Sequence, residues 1–169
     1  LAQESFVFEN CYVTQPVCCP ARASILCGQY PIDVGMPVNR HILPTGAKSI
    51  ADLLSGYHTG YVGKWHLGNE LVAQHGFSEW IPCFEHWWQE YSDETQRTQF
   101  SPYHHWLVDN GFEPDARHPG GKMFSPNFRA NLPADYQMAT FIGQQSADFI
   151  KRNADRPFVL YASSKEPHP

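Results

Sequence analysis

Twice in this chain a stretch with helical apolar spacing runs through a short break into an apolar, strand-like segment. In the first, residues 47–54 place Ile50, Leu53 and Leu54 at helical spacing, Gly56 stops the helix, and residues 57–62 follow as a strand. In the second, Tyr136, Met138, Phe141, Ile142, Phe149 and Ile150 make one helical face within residues 133–153, with Lys151 and Arg152 at its end. Arg156-Pro157 breaks the pattern, and the apolar run Phe158-Val159-Leu160-Tyr161-Ala162 reads as a buried strand. Helix followed by strand is the unit of a parallel sheet, so the predicted fold class is α/β.

The 169 residues suffice for one core, and 42% hydrophobic with 17% charged residues is the composition of a folded chain. A formal net charge of −5 carries no basic footprint for nucleic acid, and no apolar run approaches the ~20 residues of a membrane span. The opening Leu1-Ala2-Gln3-Glu4 has neither the basic start nor the apolar run of a signal peptide. Phe6, Phe8 and Tyr12 alternate with polar partners, which predicts a strand over 6–13. Residues 31–44, punctuated by Gly and Pro, read as irregular surface. Residues 69–133 interleave Trp80, Trp87, Trp88, Trp106 and His104-His105 with prolines and glycines, which predicts a long irregular excursion, either a substrate-facing surface or a linker-like insertion. Five cysteines cannot all pair, none is in C-x-x-C spacing, and no disulfide framework or thiol redox motif is expected.

Three stretches carry chemistry. Residues 16–31, PVCCPARASILCGQYP, set Cys18 just before a helix begun by Pro20 and ended by Gly28, with Arg22 one turn in. That arrangement puts a thiol at an anion-attracting helix start. Residues 60–68, GYVGKWHLG, end a strand at Gly63 and send Lys64 and His66 into the following loop. Ligands of open α/β sheets bind beyond such carboxyl ends, where Lys64 offers a compact positive charge and His66 a group that titrates near neutrality. Residues 158–169 repeat the design, a strand running out into a polar loop that holds Lys165 and His168.

Cys18-x-Pro20-x-Arg22, continued by Ala23-Ser24-Ile25-Leu26, Gly28 and Tyr30-Pro31, closely resembles the first signature of the formylglycine-dependent sulfatases. Ala21 stands where that family usually has serine, and Cys27 where threonine is common. GYHTGYVGKWHLG resembles the second signature, in the right order, and the strand-then-PHP segment at His168 resembles a third. The resemblance implies an alkaline phosphatase-like three-layer sandwich, a mainly parallel sheet with helices on both faces. It implies a sulfuric ester hydrolase in which Cys18, oxidised to formylglycine by a formylglycine-generating enzyme, supplies the nucleophile and one ligand of a divalent metal, calcium. Arg22 and His66 would orient the hydrate, and His66 would take its proton in the second step. Lys64 and His168 would bind the sulfate, and either would protonate the leaving group. Lys165 matches no family position and reads as a surface lysine.

The implied substrate is a sulfated small molecule or sulfated glycan, and the implied compartment is periplasmic, secreted or lysosomal. On the same resemblance the remaining metal ligands lie outside residues 1–169, so the isolated segment is expected to be inactive. Two other readings stay open: a noncatalytic sulfatase-like module that binds sulfated glycans, and a phosphatase or phosphonate hydrolase of the same superfamily.

Overall fold

The computed structural model describes residues 2–83, 91–114, 132–166 and 168. Its principal elements are α1 (Cys18–Cys27), α2 (Ile50–Leu53), β1 (His58–Gly63), β2 (Glu79–Pro82), α3 (Pro102–Asp109), α4 (Met138–Arg152) and β3 (Phe158–Ser163). The strands form one parallel sheet in the order β2-β1-β3, with Tyr61 opposite both Trp80 and Tyr161. Parallel pairing brings the carboxyl ends of all three strands to the same edge of the sheet.

The alternation of side chains along β1 divides the core into two layers. On one face Tyr61, Trp65 and Phe77 pack with Cys19, Ala23 and Leu26 of α1 and Ala51 of α2. Here Trp80, Tyr61 and Tyr161 form an aromatic row across the sheet, with ring centroids 4.8 and 5.3 Å apart. On the other face Val62, Ile81 and Leu160 pack with Tyr103 and Leu107 of α3 and Met138, Phe141 and Ile142 of α4. Gly60 belongs to this second face, because a Cβ there would collide with the Phe149 ring. Helices cover both faces of a parallel sheet, as the resemblance implies.

Local chemistry explains where the helices begin and end. Gly28 closes α1 in the left-handed region (φ 65°), its N–H donating to the Ser24 carbonyl at 2.9 Å. Ser49 and Asp52 make a reciprocal capping box on α2, and Ser101 caps α3 with Pro102 in its first turn. Arg152 at the end of α4 pairs with Glu79 of β2, which also faces His58 of β1 at 3.3 Å.

Several expectations change. Cys18 is the first residue of α1 rather than the residue before it. The helix expected over 47–54 shortens to the single turn of α2, and Ile50 and Leu53 face solvent while Ala51 is buried. Residues 6–13 form no strand; no described strand pairs with them, and Phe6 is 85% exposed. Residues 31–44 are irregular and mostly exposed, as expected, but Val34, Met36 and Leu43 turn inward and enter the core beside α1. The excursion over 69–133 is interrupted by regular elements, β2 within the sheet and α3 against it. Trp87, Trp88 and residues 115–131 of that stretch lie outside the described residues. No helix among the described residues is long and apolar enough to cross a membrane.

Candidate active site

At the carboxyl edge of the sheet, β1 and β3 run out side by side, with Gly63 opposite Ser163. The Lys64 N–H donates to the Ser163 carbonyl at 2.9 Å. Gly63 has φ 113°, and a Cβ there would collide with that same carbonyl oxygen. Only glycine lets the two strand ends approach this closely. Lys64 therefore leaves β1 directly beside the loop that leaves β3.

The first turns of α1 are tied onto this edge. Arg22 Nη1 donates to the Lys64 carbonyl at 2.8 Å and to Ser163 Oγ at 2.6 Å. Ser163 Oγ donates to the Lys64 carbonyl at 2.9 Å, and Tyr61 Oη donates to it at 2.6 Å. Three donors thus converge on one main-chain oxygen. Burial pushes the Tyr61 phenol well above its ordinary range, so it stays a donor. The α1 start has no side-chain cap from Val17; instead Asn39 Oδ1 accepts the Cys19 N–H at 3.0 Å. Adjacent cysteines consequently have different fates. Cys19 is 1% exposed among the core side chains, and burial raises its thiol pKa. Cys18 is half-buried and turns into a cleft.

That cleft has a volume of about 510 Å³, and Cys18, Arg22, Lys64, Lys165 and His168 line it. Among the described lining residues the formal charges are all positive; no Asp or Glu is present. Lys64 is 2% exposed over the whole residue. Burial, and next the Arg22 guanidinium, push its ammonium below the usual lysine range. An anion entering this cleft would relieve both effects.

Four of the five expected site residues, Cys18, Arg22, Lys64 and His168, share this cleft. His66 does not line it. It is 5% exposed, its backbone sits in the left-handed region (φ 60°), and its N–H donates to Glu70 Oε1 at 3.0 Å. Lys165, read from sequence as a surface lysine, is half-buried on the cleft wall. Ser163, Tyr61, Asn39 and Glu70 were not read as site residues. Ser163 alone had a signal, as a polar residue closing an apolar strand at the ligand edge. Among the described residues no three His, Cys, Asp or Glu side chains gather as a metal site. Cys18 therefore stands without companion ligands of that kind in the described part of this chain.

The sulfatase family model matches residues 1–169. The chain is 32% identical to the N-acetylgalactosamine-6-sulfatases of Canis lupus familiaris and Homo sapiens, over 95% of its own length and 32% of theirs. It is 39% identical over 89 residues to an ulvan-active sulfatase of Formosa agariphila, covering 52% of this chain and 17% of that protein. Among solved structures, BT4656 in complex with its substrate D-glucosamine-2-N,6-O-disulfate matches 95% of this chain and 27% of its own, with TM-score 0.58 and 22% identity. A phosphonate monoester hydrolase of Agrobacterium radiobacter matches 93% of this chain and 33% of its own, with TM-score 0.55 and 19% identity, a likeness of fold alone. The chain spans about a third of the length of the N-acetylgalactosamine-6-sulfatases it matches. Signatures in order, a cationic cleft at the carboxyl edge of a parallel sheet, and a family match along the whole sequence lead to one conclusion: this chain belongs to the sulfatase family.

Proposed function

We propose that the protein of which these residues are part is a sulfuric ester hydrolase, with the sulfate group held in the Cys18 cleft. The observation that carries this reading is the lining of that cleft: Arg22, Lys64, Lys165 and His168 around a helix-start cysteine, with no described carboxylate among them. A sulfate monoester is an anion, and an approaching nucleophile must overcome the repulsion of its oxygens. Fixed positive charge in a partly desolvated cleft lowers that repulsion far more than charge in water does.

Cys18, converted to formylglycine, supplies an aldehyde hydrate, one of whose hydroxyls attacks sulfur while the other later releases the sulfate. Each remaining cleft residue has a task its position permits. Lys64 and Lys165 hold the sulfate oxygens from the wall. Lys64, its ammonium pKa lowered by burial, and His168, on the same wall, are the two groups placed to protonate the departing alcohol. Arg22 fixes the helix that carries Cys18 against both strand ends. His66 is buried and off the cleft lining, so its part in orienting the hydrate and holding its proton is proposed on the family resemblance and not on its position.

A divalent cation, calcium by the family resemblance, would add Lewis-acid screening of the developing charge. Cys18 in its modified form is the one ligand proposed from this chain. The named activities of the relatives make a sulfated sugar the favoured substrate class.

The test is hydrolysis of an aryl sulfate and an aryl phosphonate by the full-length protein made beside a formylglycine-generating enzyme. Sulfate turnover is expected, with Cys18→Ala abolishing it and Lys64→Ala lowering kcat by about 10²–10³-fold, the scale for one charge-stabilising group. Preference for the phosphonate, or turnover indifferent to Cys18, would overturn the reading.

A further inference from the structure

Glu70 belongs to none of the three motifs, yet it is 1% exposed, the most deeply buried carboxylate among the described residues. Its surroundings account for the burial. The Trp80 Nε1–H of β2 donates to the Glu70 carbonyl at 2.7 Å, and the Trp80 ring stacks on Tyr61 of β1. The Glu70 backbone is therefore pinned to the sheet. From that anchor, Oε1 accepts the main-chain N–H of His66 at 3.0 Å.

The segment it braces is unusual. His66 (φ 60°), Gly68 (φ 84°) and Asn69 (φ 48°) all lie in the left-handed region within four residues. Glycine adopts that region freely; histidine and asparagine enter it more often than most side chains do, but still at a cost that surrounding contacts must offset. A charged acceptor makes the stronger kind of hydrogen bond, and out of water it meets little competition. Glu70 also acts electrostatically on Lys64, in the direction that favours the charged ammonium.

We propose that Glu70 is a positioning residue: by accepting the His66 main-chain N–H it holds the left-handed turn that fixes His66, and Lys64 two residues before it, relative to the cleft. The effect on catalysis rests on the sulfatase reading; the clamp on the turn does not. Glu70 touches no substrate in this scheme. It acts through the backbone of the loop that carries Lys64 and His66, and it links that loop to Trp80 of β2.

A stability cycle tests the clamp in the full-length protein without any substrate. Glu70→Ala and His66→Gly are made singly and together, and the unfolding equilibrium is measured in urea. Because His66→Gly relieves the turn, Glu70→Ala should destabilise that background at least about fivefold less than it destabilises wild type, the size expected of directly coupled neighbours. If Glu70→Ala alone does not fold, His66→Gly should restore folding. Additivity within about twofold, or no restoration, would overturn the clamp.

The kinetic arm reads positioning. Glu70→Ala should lower kcat on an aryl sulfate about 10²-fold with KM nearly unchanged, the scale of a small misplacement of reacting groups. Glu70→Gln, whose amide oxygen can accept the same N–H, should recover most of that loss. Equal losses in both variants would contradict the proposal. A wild-type protein that cleaves no sulfate ester would count against the functional reading, while the stability cycle would still decide the clamp.

Discussion

Lys64 shows what a charge needs when it is kept from water. At 2% exposure its ammonium is disfavoured by burial and by the Arg22 guanidinium, so its pKa falls below the ordinary 10.5. The unfolded chain then holds this proton more tightly than the folded one. The folded state is favoured above pH 10.5, and that advantage is lost as pH falls through the depressed folded value. A charged Lys64 is thus a local liability that a bound anion offsets, which is how a binding site differs from a core. Lys64→Met is expected to raise the urea midpoint of unfolding near neutrality, with the gain shrinking as pH rises toward 10.5. Inorganic sulfate should stabilise the wild type and lose most of that effect in the variant. A less stable Met variant, or one that still responds fully to sulfate, would show that Lys64 is not the buried charge at the anion position.

At the scale of elements, the site depends on how closely two strand ends approach. Gly63→Ala would force a Cβ into the Ser163 carbonyl at a backbone angle L-residues avoid. It should destabilise by about 2–4 kcal/mol and detach Lys64 from β3, measurable by denaturant unfolding together with loss of sulfate binding. A neutral substitution would contradict the packing described. Elements with strong local signals were legible in the sequence. Residues 57–62 and 158–162 combine apolar content with clear breaks and became β1 and β3, and the apolar face within 133–153 became α4. Features that depend on distant partners were not legible. The alternation of Phe6, Phe8 and Tyr12 predicts a strand only if another strand pairs with it, and no described one does. Val34, Met36 and Leu43 fill the core from chain without any period. β2 has four residues, including Pro82, too few for periodicity to mark. Cys18, Arg22, Lys64 and His168 could be read because motif chemistry is local. Ser163 had only the signal of a polar residue closing a strand, because its bond to Arg22 spans 141 positions of chain. Glu70, four positions from His66, lies outside the motif, and its role is a bond to main chain that no side-chain pattern marks.

For the molecule as a whole, the two layers of helices do different work around the same sheet. The α3–α4 layer packs on β1 and β3 from one side and brings no residue to the cleft. The α1 layer buries Cys19 and turns Cys18 outward at the edge where Lys64, Lys165 and His168 emerge. The fold thereby separates two chemically identical neighbours into a core residue and a site residue. The central claim, that Cys18 is the residue carrying the reactive aldehyde, is tested most directly by mass spectrometry of the tryptic peptide ending at Arg22. The full-length protein for this measurement is produced beside a formylglycine-generating enzyme. The account predicts an aldehyde at position 18 with the Cys19 thiol intact; an unmodified Cys18, or an aldehyde at position 19, would contradict it.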